Sequence, residues 1–317
     1  MAEITPVTLL TGFLGAGKTT LLNRLLRDPA LAGAAVLINE FGETGIDHHL
    51  VEAINDSTVL LPNGCVCCSV RGDLVRALRA MLPRARRDEI TRIIIETTGL
   101  ADPVPILTTL LRDPAVAAAY RLASIVTVVD SVNGPRILAT HEAAKRQVAV
   151  ADRIALSKTD LADPAPLLPI LRRLNADAPI SNACGSLALL GDVPAGGMRR
   201  RFGADDAADH AVGFGTFTLT WSMPMDGRSL LAALEQLAAA HGDRLLRIKG
   251  IVYLRDQVRP FAVHAAGHLM HPPAPLRTAP DDGAIRASRL VFITSALFRQ
   301  EIIGALGALG TPAPEDA

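Results

Sequence analysis

The feature that most constrains this chain lies close to its start. An apolar run, Val7 to Leu10, leads straight into Gly12-Phe13-Leu14-Gly15-Ala16-Gly17-Lys18-Thr19. The pattern Gly-x-x-x-x-Gly-Lys-Thr, after a predicted strand and at the start of a predicted helix, is a phosphate-binding loop. Glycines let the backbone wrap an anion and turn several N–H groups inward. The helix N-terminus adds a favourable dipole. Gly12, Gly15, Ala16, Gly17, Lys18, Thr19 and Thr20 are therefore candidate nucleotide-binding residues. Lys18 would reach the β- and γ-phosphates, and the Thr19 hydroxyl would bind Mg²⁺. A plain glycine-rich turn is the alternative, and the flanking strand and helix speak against it.

The rest of the first half supplies the sheet that such a loop requires. Short β-branched runs at Val7–Thr11, Ala34–Asn39, Ser57–Leu61, Arg92–Glu96, Ser124–Asp130 and Arg153–Ser157 read as strands. Ile93-Ile94-Ile95 and Ile125-Val126-Thr127-Val128-Val129 are continuous rather than alternating, which suits strands buried on both faces of a parallel sheet. Helical patterns separate them at Thr19–Arg27, Leu74–Leu82, Pro105–Leu111 and Glu142–Ala149. The expected fold is a doubly wound, mainly parallel α/β sheet of the P-loop nucleotide-hydrolase type.

The texture changes between about Cys184 and Val212, where glycine, proline, alanine, arginine and aspartate crowd without periodicity. The expected division is a P-loop domain over 1–184, a linker over 185–212, and a smaller α+β domain over 213–317. In that last part Phe214–Trp221 alternates as a half-exposed strand should. Arg228–Ala240 reads as a helix, with Gly242 as its stop signal. Leu245–Leu254, Phe261–Ala266 and Arg289–Thr294 read as strands, and Ser295 to about Leu306 as a helix. The tail from Gly310 is expected to fray.

A length of 317 residues fits two domains. Lys+Arg and Asp+Glu balance at 32 each, so no net basic field draws the chain to nucleic acid or an anionic membrane. The arginines at 84, 86 and 87 and at 199–201 read as solvated helix-end or linker charge. The start lacks a signal peptide's basic region, and no apolar run reaches the roughly 18 residues of a membrane span. Four cysteines, three of them clustered, do not make a secreted disulfide framework. The expected location is the cytoplasm, where thiols stay reduced.

Glu96-Thr97-Thr98-Gly99 closes the strand at Ile93–Ile95. An acid in that place holds Mg²⁺ in P-loop enzymes, directly or through water. Gly99 would offer its N–H to a γ-phosphate. Together with Lys18 and Thr19, Glu96 and Gly99 are the candidate catalytic residues. Asn39 to Asp47 forms a glycine-containing acidic loop that reads either as a cation-friendly sensor or as solvated surface. Ser157-Lys158-Thr159-Asp160 resembles the Asn-Lys-x-Asp element of GTPases. Asp160 would accept hydrogen bonds from guanine N1 and N2, and Lys158 would pack its stem over the base. Serine at 157 replaces an asparagine amide. A capped helix start is the rival reading.

Cys65-Val66-Cys67-Cys68 gathers three thiols in four positions. Thiolates are ligands for Zn²⁺ and other soft or borderline ions. An extended backbone puts Cys65 and Cys67 on one face, and a bend at Asn63-Gly64 or Gly72 would bring in Cys68. Three thiolates leave part of a tetrahedral shell open, which suits an ion that must depart. Glu40, Glu43 or a histidine could complete it. The alternative is three cysteines serving as small hydrophobes, which is the reading for Cys184. His264, His268 and His271, and the pair His48-His49, carry no ligand assignment.

With these residues in view, the chain resembles the CobW-type family of P-loop GTPases, relatives of the nickel-insertion GTPases for urease and hydrogenase. The resemblance is carried by Gly12 to Thr19, Asn39 to Asp47, Gly64 to Cys68, Glu96 to Gly99 and Ser157 to Asp160. It extends to a CobW-type C-terminal domain at Lys249-Gly250-Ile251 and Arg289 to Ile293. It implies GTP hydrolysis, metal binding at the Cys-x-Cys-Cys cluster, and delivery of Zn²⁺ or Co²⁺ to a client metalloprotein. Eight scattered histidines, in place of a histidine-rich tract, argue against metal storage.

The expected function is thus a GTP-hydrolysing metallochaperone whose cofactors are GTP, Mg²⁺ and Zn²⁺ or Co²⁺, with release of the ion coupled to hydrolysis. A homodimer is one assembly open to it. No glutamine occupies a Ras-like position near Gly99 in the sequence, so intrinsic turnover should be slow. Two other readings stay open. One is a P-loop kinase or ATPase acting on a small molecule, its cysteines incidental. The other is a nucleotide-regulated metal-binding interaction protein with little turnover.

Overall fold

The computed structural model describes residues 4–39, 58–61, 69–183, 187–190, 214–267, 269–270, 273–276, 287–297 and 299–313. The candidate metal ligands Glu40, Glu43, Cys65, Cys67 and Cys68, with Cys184, His48, His49, His268 and His271, lie outside the described residues. The chain divides into two units, Met1–Val193 and Pro194–Ala317.

The first unit holds strands β1 (Thr5–Gly12), β2 (Ala34–Asn39), β3 (Thr58–Leu61), β4 (Arg92–Glu96), β5 (Tyr120–Asp130), β6 (Arg153–Ser157) and β7 (Ile180–Asn182). They form one seven-stranded sheet in the order β3-β2-β4-β1-β5-β6-β7. Every neighbouring pair is parallel. Val7, Leu9, Leu10, Ile93, Ile94 and Ile95 are fully buried, as continuous aliphatic runs at the centre of such a sheet should be.

Helices α1 (Lys18–Leu26), α2 (Ser69–Ala85), α3 (Pro103–Arg112), α4 (Pro114–Ala119), α5 (Gly134–Thr140), α6 (Glu142–Ala149) and α7 (Leu168–Leu174) connect the strands. On α1, Lys18, Leu21, Leu22 and Leu25 are buried, a single face at helical spacing. Helix α2 runs beyond the expected 74–82 at both ends. Helix α3 starts two residues earlier than expected, because the Asp102 carboxylate accepts from the Val104 N–H at 3.0 Å and Pro103 occupies the first turn. The same Asp-Pro device at Asp113-Pro114 starts α4.

The second unit holds β8 (Phe214–Trp221), α8 (Gly227–His241), β9 (Leu245–Val252), β10 (Phe261–Ala266), β11 (Leu269–Met270), β12 (Ala274–Pro275), β13 (Ser288–Ser295) and α9 (Arg299–Ala305). Its antiparallel sheet runs β11-β10-β9-β13-β8, with β12 also on β10. Helix α8 lays Leu230, Leu234 and Leu237 into a core with Leu219, Ile248 and Phe292.

Two expectations need correction here. The final helix does not begin at Ser295: that residue still pairs with Phe214 in the sheet, and Ala296 turns the chain at φ 51°. Gly242 closes α8 at φ −56°, without the left-handed geometry of a glycine stop. No helix among the described residues is long and apolar enough to cross a membrane.

Candidate functional site

The chain leaves β1 through α1 toward β2 on one side, whereas β5 flanks β1 on the other. That reversal opens a crevice at the carboxyl ends of the strands, the usual ligand position in open α/β sheets. Gly12, Glu96, Asp130 and Ser157 end β1, β4, β5 and β6 there.

The phosphate loop owes its shape to glycine. Gly12, Gly15 and Gly17 have φ of 144°, 69° and 90°, values that L side chains resist. At Gly12 a Cβ would also fall 2.3 Å from the Val128 carbonyl oxygen of β5, so the loop starts flush against the neighbouring strand. Lys18 is buried, and its Nζ donates to the Gly12 and Phe13 carbonyls at 3.0 and 3.1 Å. The ammonium thus lies over the hollow of its own loop.

Thr19 donates its hydroxyl hydrogen to Glu96 Oε1 at 2.7 Å. A hydroxyl and a buried carboxylate, side by side at the first turn of α1, are hard oxygen donors that fit Mg²⁺. Thr97 stitches the end of β4 to β1: its N–H donates to the Leu10 carbonyl at 3.0 Å and its hydroxyl to Thr11 Oγ1 at 2.9 Å. This places Gly99 against the phosphate loop. A Cβ there would lie 2.5 Å from the Leu14 backbone nitrogen. Only glycine allows that approach.

The Ser157–Asp160 segment meets the loop from the other side. Ser157 donates its hydroxyl hydrogen to the Ala16 carbonyl at 2.6 Å, so the serine still ties this segment to the phosphate loop. Lys158 takes a left-handed φ of 56° and its Nζ lies 2.8 Å from Asp130 Oδ2. Burial by itself would raise the Asp130 carboxyl, but hydrogen bonds from Lys158, the Asn133 side chain and the Val132 and Asn133 N–H groups pull it below the ordinary carboxylate range. Asp160 is exposed, two residues farther on. Thr159 is fixed by the Asn182 amide at 2.7 Å.

The described residues of the candidate nucleotide set therefore share one edge of the sheet. Gly12, Gly15, Ala16, Gly17, Lys18 and Thr19 form the loop and the start of α1, where Thr20 is exposed. Glu96 and Gly99 stand on one side, Ser157, Lys158 and Asp160 on the other. No group of three or more His, Cys, Asp or Glu able to hold a metal ion occurs among the described residues. Sequence reasoning passed over Asp130. The signal was present: it is an acid closing a long apolar strand, as Glu96 is. It also passed over Arg146 and Gln147 of α6, for which local sequence offers no signal.

Comparison with known proteins agrees with this fold. Residues 6–182 match the family described as CobW/HypB/UreG, nucleotide-binding domain, and residues 214–309 match the Cobalamin synthesis protein cobW C-terminal domain. The zinc chaperone YjiA of Escherichia coli is 35 % identical over 263 residues, covering 78 % of this chain and 81 % of that one. A zinc-regulated GTPase metalloprotein activator of Schizosaccharomyces pombe is 40 % identical over 163 residues, 49 % of this chain and 39 % of its own. The crystal structure of the Zn(II)-bound E. coli YjiA GTPase superposes with a TM-score of 0.70 at 29 % identity, covering 97 % of this chain and 99 % of that one.

Proposed function

Because this chain belongs to the CobW/HypB/UreG family, we propose that it is a GTP-hydrolysing metallochaperone that carries zinc to a client metalloprotein. The observation that carries this reading is the packing of Gly99 on Leu14, which joins the end of β4 to the phosphate loop. A γ-phosphate seated in the loop would meet the Gly99 N–H, so this segment can distinguish triphosphate from diphosphate.

The roles follow from position. The N–H groups of the Gly12–Lys18 loop and the Lys18 ammonium take the phosphates. Thr19 and Glu96 would hold Mg²⁺, which would supply neutralising charge at the phosphates. Asp160 reads the guanine edge, and Lys158, steadied by Asp130, covers its face. Zinc is the cargo, with cobalt as a second ion of suitable chemistry. Cys65, Cys67 and Cys68, with Glu40 or Glu43, form its site. In sequence these residues fall between β2 and β4, the strands that lead to the two nucleotide-sensing segments. GTP would order the thiolates into a tight site and hydrolysis would loosen them, a switch of the order–disorder kind. The second unit is the surface for the client, and a homodimer is one assembly in which the cycle could run.

Turnover tests this reading. Metal-free protein is given GTP or ATP and titrated with Zn²⁺, beside a Cys67→Ser variant. GTP-selective turnover that responds to zinc only while Cys67 is present is the expected result. Turnover indifferent to zinc and to Cys67 would overturn it and point to a small-molecule phosphate acceptor.

A further inference from the structure

Helix α6 grips the segment after β4 at three points. The Gln147 side-chain amide donates to the Gly99 carbonyl at 3.1 Å and to the Ala101 carbonyl at 3.0 Å. Next to it, Arg146 Nη1 lies 3.0 Å from Asp102 Oδ2. Two carbonyl acceptors fix which end of the Gln147 amide faces them, since only the NH₂ end can donate. The side chain is almost wholly buried, and among the described residues its Oε1 has no hydrogen-bond partner. Burying an amide oxygen unpaired is costly, and a methionine or leucine would fill the same volume without that cost.

The helix is a firm anchor. Thr127 Oγ1 of β5 donates to the Gln147 backbone carbonyl at 2.7 Å. Asn175 Nδ2 donates to the carbonyls of Val148, Ala149 and Ala151. The same helix also reaches the phosphate loop. Gln147 lines one cavity with Phe13 and Ala16, and the Phe13 ring lies 4.6 Å from that of His141, which precedes α6. Gly99 has the freest backbone of any residue type, so packing on Leu14 does not by itself set its ψ. The bond from Gln147 to its carbonyl does.

We propose that Gln147 is a positioning residue for the nucleotide reaction: by holding the carbonyls of Gly99 and Ala101 it fixes where the segment after β4 lies, and with it the place at which the Gly99 N–H, on the preceding peptide, meets the terminal phosphate. This rests on the reading that Gly99 senses the γ-phosphate. A residue in this role matters for triphosphate and not for diphosphate, whereas a merely structural glutamine would affect both alike.

Gln147→Met and, because that variant could fold poorly, Arg146→Met are each compared with wild type. The measurements are affinity for a non-hydrolysable GTP analogue and for GDP, steady-state kcat and KM for GTP, and thermal unfolding. Gln147→Met is expected to lose on the order of ten-fold in kcat and in analogue affinity, with GDP affinity within about two-fold of wild type. Arg146→Met is expected to move the same two quantities in the same direction by a smaller factor. Unchanged kcat and an unchanged analogue-to-GDP ratio in both variants, with only a lower melting temperature in Gln147→Met, would overturn the positioning role. It would leave the GTPase reading standing. A wild-type protein that binds analogue and GDP equally would overturn the γ-phosphate reading and the positioning role together.

Discussion

Gly99→Ala is expected to lower kcat for GTP by on the order of a hundred-fold while the protein stays folded. The new methyl group would lie 2.5 Å from the Leu14 backbone nitrogen and 2.6 Å from its Cα. No side-chain rotation relieves a clash with backbone, so the end of β4 and the phosphate loop must separate. A shift of about 1 Å between groups that act on one phosphate can cost this much in rate. The fold should survive, since Gly99 lies three residues beyond β4, whose pairing with β1 is finished by Glu96. Stopped-time phosphate release, with thermal unfolding as the control, checks the prediction. Near wild-type turnover would mean that the segment does not touch the phosphate.

Lys18→Ala is expected to lose about 10² to 10³ in kcat/KM, the usual effect of deleting one preorganised donor to developing charge. The Lys18 ammonium is held by the Gly12 and Phe13 carbonyls at the mouth of the loop, so it is placed before nucleotide arrives. Its loss also leaves those two carbonyls without that donor, and a modest fall in stability should accompany the loss of rate. Nucleotide affinity by fluorescence titration separates the two effects. Wild-type affinity for GTP in this variant would remove the loop from the phosphate site.

The central sheet was legible because its strands are continuous aliphatic runs, and Ile93-Ile94-Ile95 admits few other readings. The elements that escaped are short. Strand β7 has three residues, and its pairing with β6 is decided by tertiary contact rather than by its own sequence. Helices α4 and α5 are each started by a proline at the first turn, a signal present at Pro114 and Pro135 but outweighed by their shortness. Ser295 stayed in the sheet because pairing with Phe214 prevailed over the helical pattern that follows it.

The site divides in the same way. Gly12 to Thr19, Glu96 and Gly99 could be read because a phosphate loop dictates residue types at fixed spacing. The serine at 157, which looked like a loss, keeps a bond to Ala16 that spans 141 positions of sequence. The pair Asp130–Lys158 and the grip of Gln147 on Gly99 are also long-range. They join residues 28 and 48 positions apart, and nothing local to either partner announces them.

The most direct test of the coupling between nucleotide and metal is the zinc affinity of the protein in its two nucleotide states. Zn²⁺ is titrated by calorimetry into protein saturated with Mg²⁺ and a non-hydrolysable GTP analogue, and separately into protein saturated with Mg²⁺ and GDP. Tighter binding in the analogue state by about ten-fold or more is the predicted result, within the usual range of coupling between two sites. Equal affinity in the two states would contradict it, because a nucleotide that does not change zinc affinity cannot drive its release.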